Sequence, residues 1–147
     1  MILRRCEEKD LDRVLQIERI CFKHPYDYFT FLYFLMRETD GFYVAEENGQ
    51  IIGYVISSVR NGKGNIVSIA VLPEFRRKGI GSRLMEESLN FLSKKVDYVE
   101  LQVRVSNEEA IGFYRKLGFE EAGFIPNYYL DGEDALIMSK TIKIKGK

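Results

Sequence analysis

After a short start from Met1 to Arg5 that reads as a strand, apolar residues fall into helical spacing at Leu11, Val14, Leu15, Ile17 and Ile20. Asp10 is placed to cap this helix, and Glu18 and Arg19 lie near its end. The loop Phe22-Lys23-His24-Pro25-Tyr26 leads to a second helical stretch, Tyr28 to Arg37, where Phe29, Phe31, Leu32, Tyr33, Phe34, Leu35 and Met36 are apolar nearly all round. Such a helix is either deeply buried or covers a binding groove. From Phe42 the period becomes strand-like. Phe42 to Glu46 and Ile51 to Val59 flank Asn48-Gly49, a strong hairpin signal, and Asn61-Gly62-Lys63-Gly64 turns the chain into Asn65 to Leu72. Three antiparallel strands in succession follow, with Met1 to Arg5 available as a fourth.

Beyond the third strand, Ile80, Leu84, Met85, Leu89 and Leu92 line one helix face, ending near Lys94 and Lys95 where cations suit the negative helix end. Tyr98 to Val105 alternates as a strand, with Val99, Leu101, Val103 and Val105 on one side and Tyr98, Glu100, Gln102 and Arg104 on the other. Ser106 followed by Glu109 has the pattern of a capping box opening a helix through Ala110, Ile111, Phe113, Tyr114 and Leu117, which Gly118 stops. Phe119 to Gly123 and Ala135 to Ile142 are the last strands, flanking the loop from Pro126 to Gly132. The order predicts an α/β fold, a single domain over residues 1–147 with a mixed, mostly antiparallel twisted sheet of about 6–7 strands and about 4 helices.

Composition narrows the partners. Lys plus Arg, at 22, balance Asp plus Glu, at 22, so net charge supports no general nucleic-acid surface. Cys6 and Cys21 match no metal-ligand spacing and are too few for a disulfide framework; they read as buried small apolar residues in a reducing compartment. No apolar run approaches the roughly 18–20 residues of a membrane span, and the N-terminus lacks a signal-peptide pattern, so a cytoplasmic protein with neither membrane nor metal is expected.

The chemistry concentrates at Val71-Leu72-Pro73-Glu74-Phe75-Arg76-Arg77-Lys78-Gly79-Ile80-Gly81-Ser82, a strand end, a basic turn with two glycines and a helix start. A helix N-terminus presents unpaired N–H groups and the positive end of the macrodipole, and glycines let a phosphate come close. Taken alone, the stretch is an anion cradle or an ordinary basic turn; it has neither a Walker ending nor the Gly-x-Gly-x-x-Gly dinucleotide pattern. In context, Arg76-x-x-Gly79-x-Gly81, preceded by Val71 and Pro73, resembles the acyl-CoA signature of the GNAT N-acetyltransferases. The resemblance implies that Arg76, Arg77, Lys78, Gly79, Ile80, Gly81 and Ser82 hold the diphosphate of acetyl-CoA. It also implies that the strand at Ile69, Ala70 and Val71 offers backbone groups to the pantetheine arm.

The run from Val103 to Phe119 looks like the second half of the same signature, implying Asn107 near pantetheine and Tyr114 near the thioester sulfur, where a phenol can supply a proton or hydrogen bond to the departing thiolate. Tyr128-Tyr129-Leu130-Asp131-Gly132-Glu133-Asp134-Ala135 resembles the RimI-type and catalytic-subunit N-terminal acetyltransferases, which act on protein α-amines. In those enzymes the tyrosine loop and the loop after the first helix flank the peptide entrance, here Tyr128 and Tyr129 with Phe22, His24, Pro25 and Tyr26. The resemblance implies a protein or peptide N-terminus as acceptor, with a ribosome or an auxiliary subunit as a possible presenter.

Where RimI-like enzymes commonly carry glutamate, this chain has Gln102, which accepts no proton at neutral pH; Glu100, on the same strand face, could act through water. At pH 7 neutralising an α-amine costs roughly 1–1.4 kcal/mol and a lysine amine nearly ~5 kcal/mol, so weak base assistance suits the α-amine. No acyl-carrying nucleophile stands out, since Cys6 and Cys21 lie far from the motif in sequence, which favours direct attack in a ternary complex. The alternatives are a GNAT acetylating a lysine or small-molecule amine and a non-catalytic acyl-CoA-binding module.

Overall fold

A computed structural model describes residues 1–37 and 41–142. The strands are β1 (Ile2–Arg5), β2 (Gly41–Glu47), β3 (Gln50–Arg60), β4 (Lys63–Val71), β5 (Tyr98–Arg104), β6 (Glu120–Ile125) and β7 (Ala135–Thr141). The helices are α1 (Leu11–Cys21), α2 (Tyr28–Met36), α3 (Ile80–Leu92) and α4 (Glu108–Lys116), with 3₁₀ turns at Glu8–Asp10 and Pro73–Phe75. The strands form one seven-stranded sheet in the order β1-β2-β3-β4-β5-β7-β6, antiparallel throughout except at β4–β5. This is the mixed, mostly antiparallel sheet with four helices that the periodicity implies. Asn48-Gly49 and Asn61-Gly62 all have positive φ, which gives the two hairpins β2–β3 and β3–β4 their tight turns.

The faces of the sheet follow from strand alternation. Added Cβ atoms at Gly41, Gly53 and Gly64 would meet Phe91, Leu84 and Leu92 of α3, so α3 packs on that side. Tyr54, next to Gly53, points to the other side, where it meets Phe31 of α2 at a centroid distance of 5.8 Å and Glu18 of α1. Within α2 only Phe31 and Phe34 are buried; Phe29, Tyr33 and Met36 stay exposed, so its all-round apolarity does not make it a fully buried helix. Among the described residues no helix is long and apolar enough to cross a membrane.

The sheet splits at its parallel seam. Pairing of β4 with β5 runs only from Gly64–Val99 through Asn65–Glu100 to Ile66–Leu101. At that level the β3–β4 register shifts between Ile56–Ser68 and Ser57–Ile66, leaving Val67 as a bulged residue, and a bulge bends its strand and increases local twist. Beyond the bulge β4 continues to Val71 paired to β3, and β5 continues to Arg104 paired to β7. A wedge opens between them.

Two expected helix caps are placed differently. Asp10 precedes α1, but its carboxylate accepts from Arg4 Nη1 and Nη2, at 2.7 and 3.0 Å, and from the Glu7 N–H at 2.8 Å rather than from the first turn of α1. Asn107 rather than Ser106 caps α4, its Oδ1 accepting from Ala110 N at 3.1 Å, because the Ser106 N–H is drawn to Glu133 Oε2 at 3.0 Å. The Arg4 guanidinium holds the Asp10 carboxyl below its ordinary value of 3.8. Its contribution to stability is therefore present above that value and lost as pH falls through the lower folded-state one. Urea unfolding from about pH 5 to about pH 2 should show this acid slope, and Asp10→Asn should flatten it.

Candidate active site

The turn between β4 and α3 leaves a run of backbone amides unpaired at a helix start. Gly79 has φ +80°, a left-handed conformation that L side chains rarely adopt, and it starts α3 without any side-chain cap. Arg77 is also left-handed, at φ +64°. Among the described residues, none of the backbone N–H groups from Arg77 to Ser82 donates to a protein acceptor; the next amide, Arg83, bonds Gly79 O at 3.1 Å. Six successive amides without a partner, at the positive end of a thirteen-residue helix and with open space around the Gly79 Cβ position, fit a diphosphate. Arg76 Nε donates to Val71 O at 2.9 Å and its Nη2 contacts Cys21 Sγ at 3.4 Å, so it also braces the turn against β4 and α1.

The wedge beside this turn has Ile69, Ala70 and Val71 on the β4 wall and Gln102 on the β5 wall. Val71 O is already taken, by Arg76 Nε and by the Cys21 thiol at 3.6 Å. Glu100, Gln102 and Arg104 share one face of β5 by alternation. Glu100 and Gln102 are half-buried, and among the described residues their side chains form no hydrogen bond or ion pair. That leaves two polar groups available to a ligand or a water.

Helix α4 presents Tyr114. It is fixed at its start by the Asn107 cap and at its end by Lys140 Nζ, which donates to Leu117 O at 2.6 Å; Gly118 then reverses the chain at φ +93°. The Asn107 side-chain oxygen, expected near pantetheine, is thus occupied as a cap, and among the described residues its amide nitrogen has no partner. The Tyr114 ring packs edge-on to Phe119 at 6.1 Å, and among the described residues its hydroxyl has no hydrogen-bond partner. Burial pushes its pKa well above the ordinary 10.0, with the Tyr129 phenol adding to the effect. At neutral pH Tyr114 is an acid, not a base.

The loop between β6 and β7 carries Tyr128 and Tyr129 and is locked onto β5. Arg104 Nη1 donates to Asp131 at 3.0 and 2.9 Å and to Glu133 at 2.8 Å, while its guanidinium lies 4.1 Å from the Tyr129 ring centroid. Tyr128 and Tyr129 meet edge-on at 5.0 Å. Burial first, then the Tyr128 phenol, pushes Tyr129 up to about 12. Tyr26, from the loop after α1, belongs to the same electrostatic neighbourhood, and His24 Nε2 lies 3.8 Å from Asp131 Oδ2. The two loops therefore approach one another beside Tyr114. Arg104→Ala should release the tyrosine loop, raising the acceptor KM about tenfold with little change in CoA affinity. Steady-state kinetics with each substrate varied in turn checks it.

Sequence reasoning gave Glu18 no role. Its carboxylate is buried and acceptor to three donors: Tyr54 Oη and Ser68 Oγ on Oε1, and the Tyr26 backbone N–H at 3.0 Å on Oε2. Burial pushes its pKa up, against these hydrogen bonds, which hold it down. The signal was present: Glu18 follows Val14 by four and Leu15 by three residues, on the apolar stripe of α1. Cys21, distant from the glycine turn in sequence, touches it in space, but burial raises its thiol pKa, so it is a poor nucleophile. Among the described residues no group of three or more His, Cys, Asp and Glu is placed to hold a metal ion.

The sequence profile of the Acetyltransferase (GNAT) family matches residues 11–119. An N-alpha-acetyltransferase of Sulfurisphaera tokodaii is 36% identical over 93% of this chain and 90% of its own. The crystal structure of the ribosomal-protein-S18-alanine N-acetyltransferase from Escherichia coli superposes with a TM-score of 0.88 at 33% identity, covering 99% of this chain and 96% of that one. Arabidopsis thaliana Naa50, solved in complex with the bisubstrate analogue CoA-Ac-MVNAL, superposes with a TM-score of 0.84 at 27% identity, covering 96% and 98%.

Proposed function

The chain belongs to the acetyltransferase (GNAT) family, and from that premise we propose that it transfers the acetyl group of acetyl-CoA to the N-terminal α-amine of proteins by direct attack in a ternary complex. It is an acetyl-CoA-dependent N-acetyltransferase. The observation that carries the finer reading is the approach of the loop after α1 to the tyrosine loop, where His24 Nε2 lies 3.8 Å from Asp131 Oδ2. A cytoplasmic setting and one domain spanning residues 1–147 go with this reading.

In the proposed mechanism the thioester supplies an activated acetyl group, and the chain supplies place and protons. The amides from Arg77 to Ser82 receive the diphosphate, and the open β4 edge at Ile69 and the Val71 N–H orients the arm beyond it. Tyr26, Tyr128 and Tyr129 line the acceptor entrance. Tyr114 protonates or hydrogen-bonds the departing thiolate, a role that its raised pKa keeps available. The proton leaving the amine passes to water held by Glu100, Gln102 and the Tyr128 or Tyr129 hydroxyls. Gln102 itself accepts no proton, which a weakly basic α-amine tolerates and a lysine does not. Cys21, protonated and bonded to Val71 O, carries no acyl group. Initial rates with both substrates varied should give intersecting reciprocal plots; parallel lines would mean an acyl-enzyme and contradict direct attack.

A further inference from the structure

We infer that the last turn of α1 is a strut that sets the acceptor loop against the cofactor strand, with Glu18 as its positioning residue; the inference rests on the acceptor reading of the loop from Phe22 to Tyr26. The Glu18 carboxylate gathers three segments of chain. Tyr54 brings β3, Ser68 brings β4 immediately after the bulge at Val67, and the Tyr26 N–H brings the loop. One turn further along the same helix, Cys21 Sγ contacts Val71 O and Arg76 Nη2. Helix α1 therefore meets β4 at Ser68 and at Val71, on either side of Ile69 and Ala70, while Glu18 holds Tyr26 from its other oxygen. The Tyr26 ring, edge-on to Phe31 at 6.2 Å, is left facing the tyrosine loop with its backbone pinned. A buried carboxylate accepting three hydrogen bonds is rigid, since loosening any one of them leaves charge without a partner. Placement of the acceptor relative to the thioester is thus set by the reach of one side chain, not by its basicity.

Two substitutions separate reach from charge. Glu18→Asp keeps the charge but is one methylene short of spanning from β3 to the loop. Glu18→Gln keeps the length: its amide oxygen can accept from the Tyr26 N–H, and the hydroxyls of Tyr54 and Ser68 can turn to accept from its NH₂. Glu18→Asp is expected to raise the peptide KM roughly tenfold while leaving kcat and CoA affinity within about twofold, and Glu18→Gln to stay within about threefold throughout. Hydrogen exchange of the Tyr26 amide, read on the protein without substrate, should quicken in Glu18→Asp and stay slow in Glu18→Gln. The reverse pattern, turnover lost in Glu18→Gln and kept in Glu18→Asp, would make Glu18 a proton acceptor and overturn the inference. So would equal Tyr26 exchange in all three proteins. If the unaltered protein acetylates no α-amine, the proposed function fails, and the exchange measurement alone decides the strut. Should Glu18→Asp not fold, Tyr54→Phe takes its place: releasing the carboxylate from β3 should quicken Tyr26 exchange, and unchanged exchange would overturn the inference.

Discussion

Replacing Tyr114 by phenylalanine is expected to lower kcat by at least ~10²-fold, the lower end of what a positioned general acid contributes, while acetyl-CoA affinity changes little. The ring stays packed against Phe113 and Phe119, so only the hydroxyl is lost. With Tyr114 pushed above its ordinary pKa, the acid form persists across the range in which the amine becomes neutral. The rate should therefore rise with pH through the ionisation of the acceptor amine, about 7.7–8.0, with no descending limb from Tyr114 up to about pH 10. Stopped-assay kinetics on both proteins across this range is the check. An unchanged kcat in Tyr114→Phe would remove the residue from the chemistry.

Gly79→Val is expected to raise the KM for acetyl-CoA by roughly tenfold or more and to leave the peptide KM nearly unaltered. An added Cβ at Gly79 meets nothing within 4 Å, so crowding against the protein is not the cause. The cause is φ +80°, which a β-branched residue does not hold; the turn must rotate, and its unpaired amides then no longer converge. Gly81 stands in contrast, because a Cβ there would lie 3.2 Å from Phe113 Cζ and would push α3 from α4. Binding of CoA by calorimetry distinguishes the cradle from general destabilisation, provided thermal unfolding of Gly79→Val is still cooperative.

Local chemistry made much of the fold legible. The Asn-Gly turns, the alternation of β5 and the glycine after α4 each depend on residues close in sequence, and the structure follows them within a residue or two. The wedge was out of reach because it arises where a bulge at Val67 coincides with the end of parallel pairing, a register relation between distant strands. Glu18 was hidden for a similar reason: its partners come from β3, β4 and a loop. The cap of α4 falls on Asn107 rather than Ser106 because two adjacent residues can both cap, and the choice is made by Glu133, 27 positions from Ser106. Arg76 stands where the signature requires it, and two of its nitrogens also serve the turn itself, a contact with α1 that the motif does not contain.

The central step is transfer of the acetyl group to an α-amine. Incubation with acetyl-CoA and an unbiased peptide library, followed by tandem mass spectrometry, locates the modification directly. Acetyl on the first residue's nitrogen, lost when that amine is blocked beforehand, is the expected result; acetyl found only on lysine side chains of blocked peptides would contradict it.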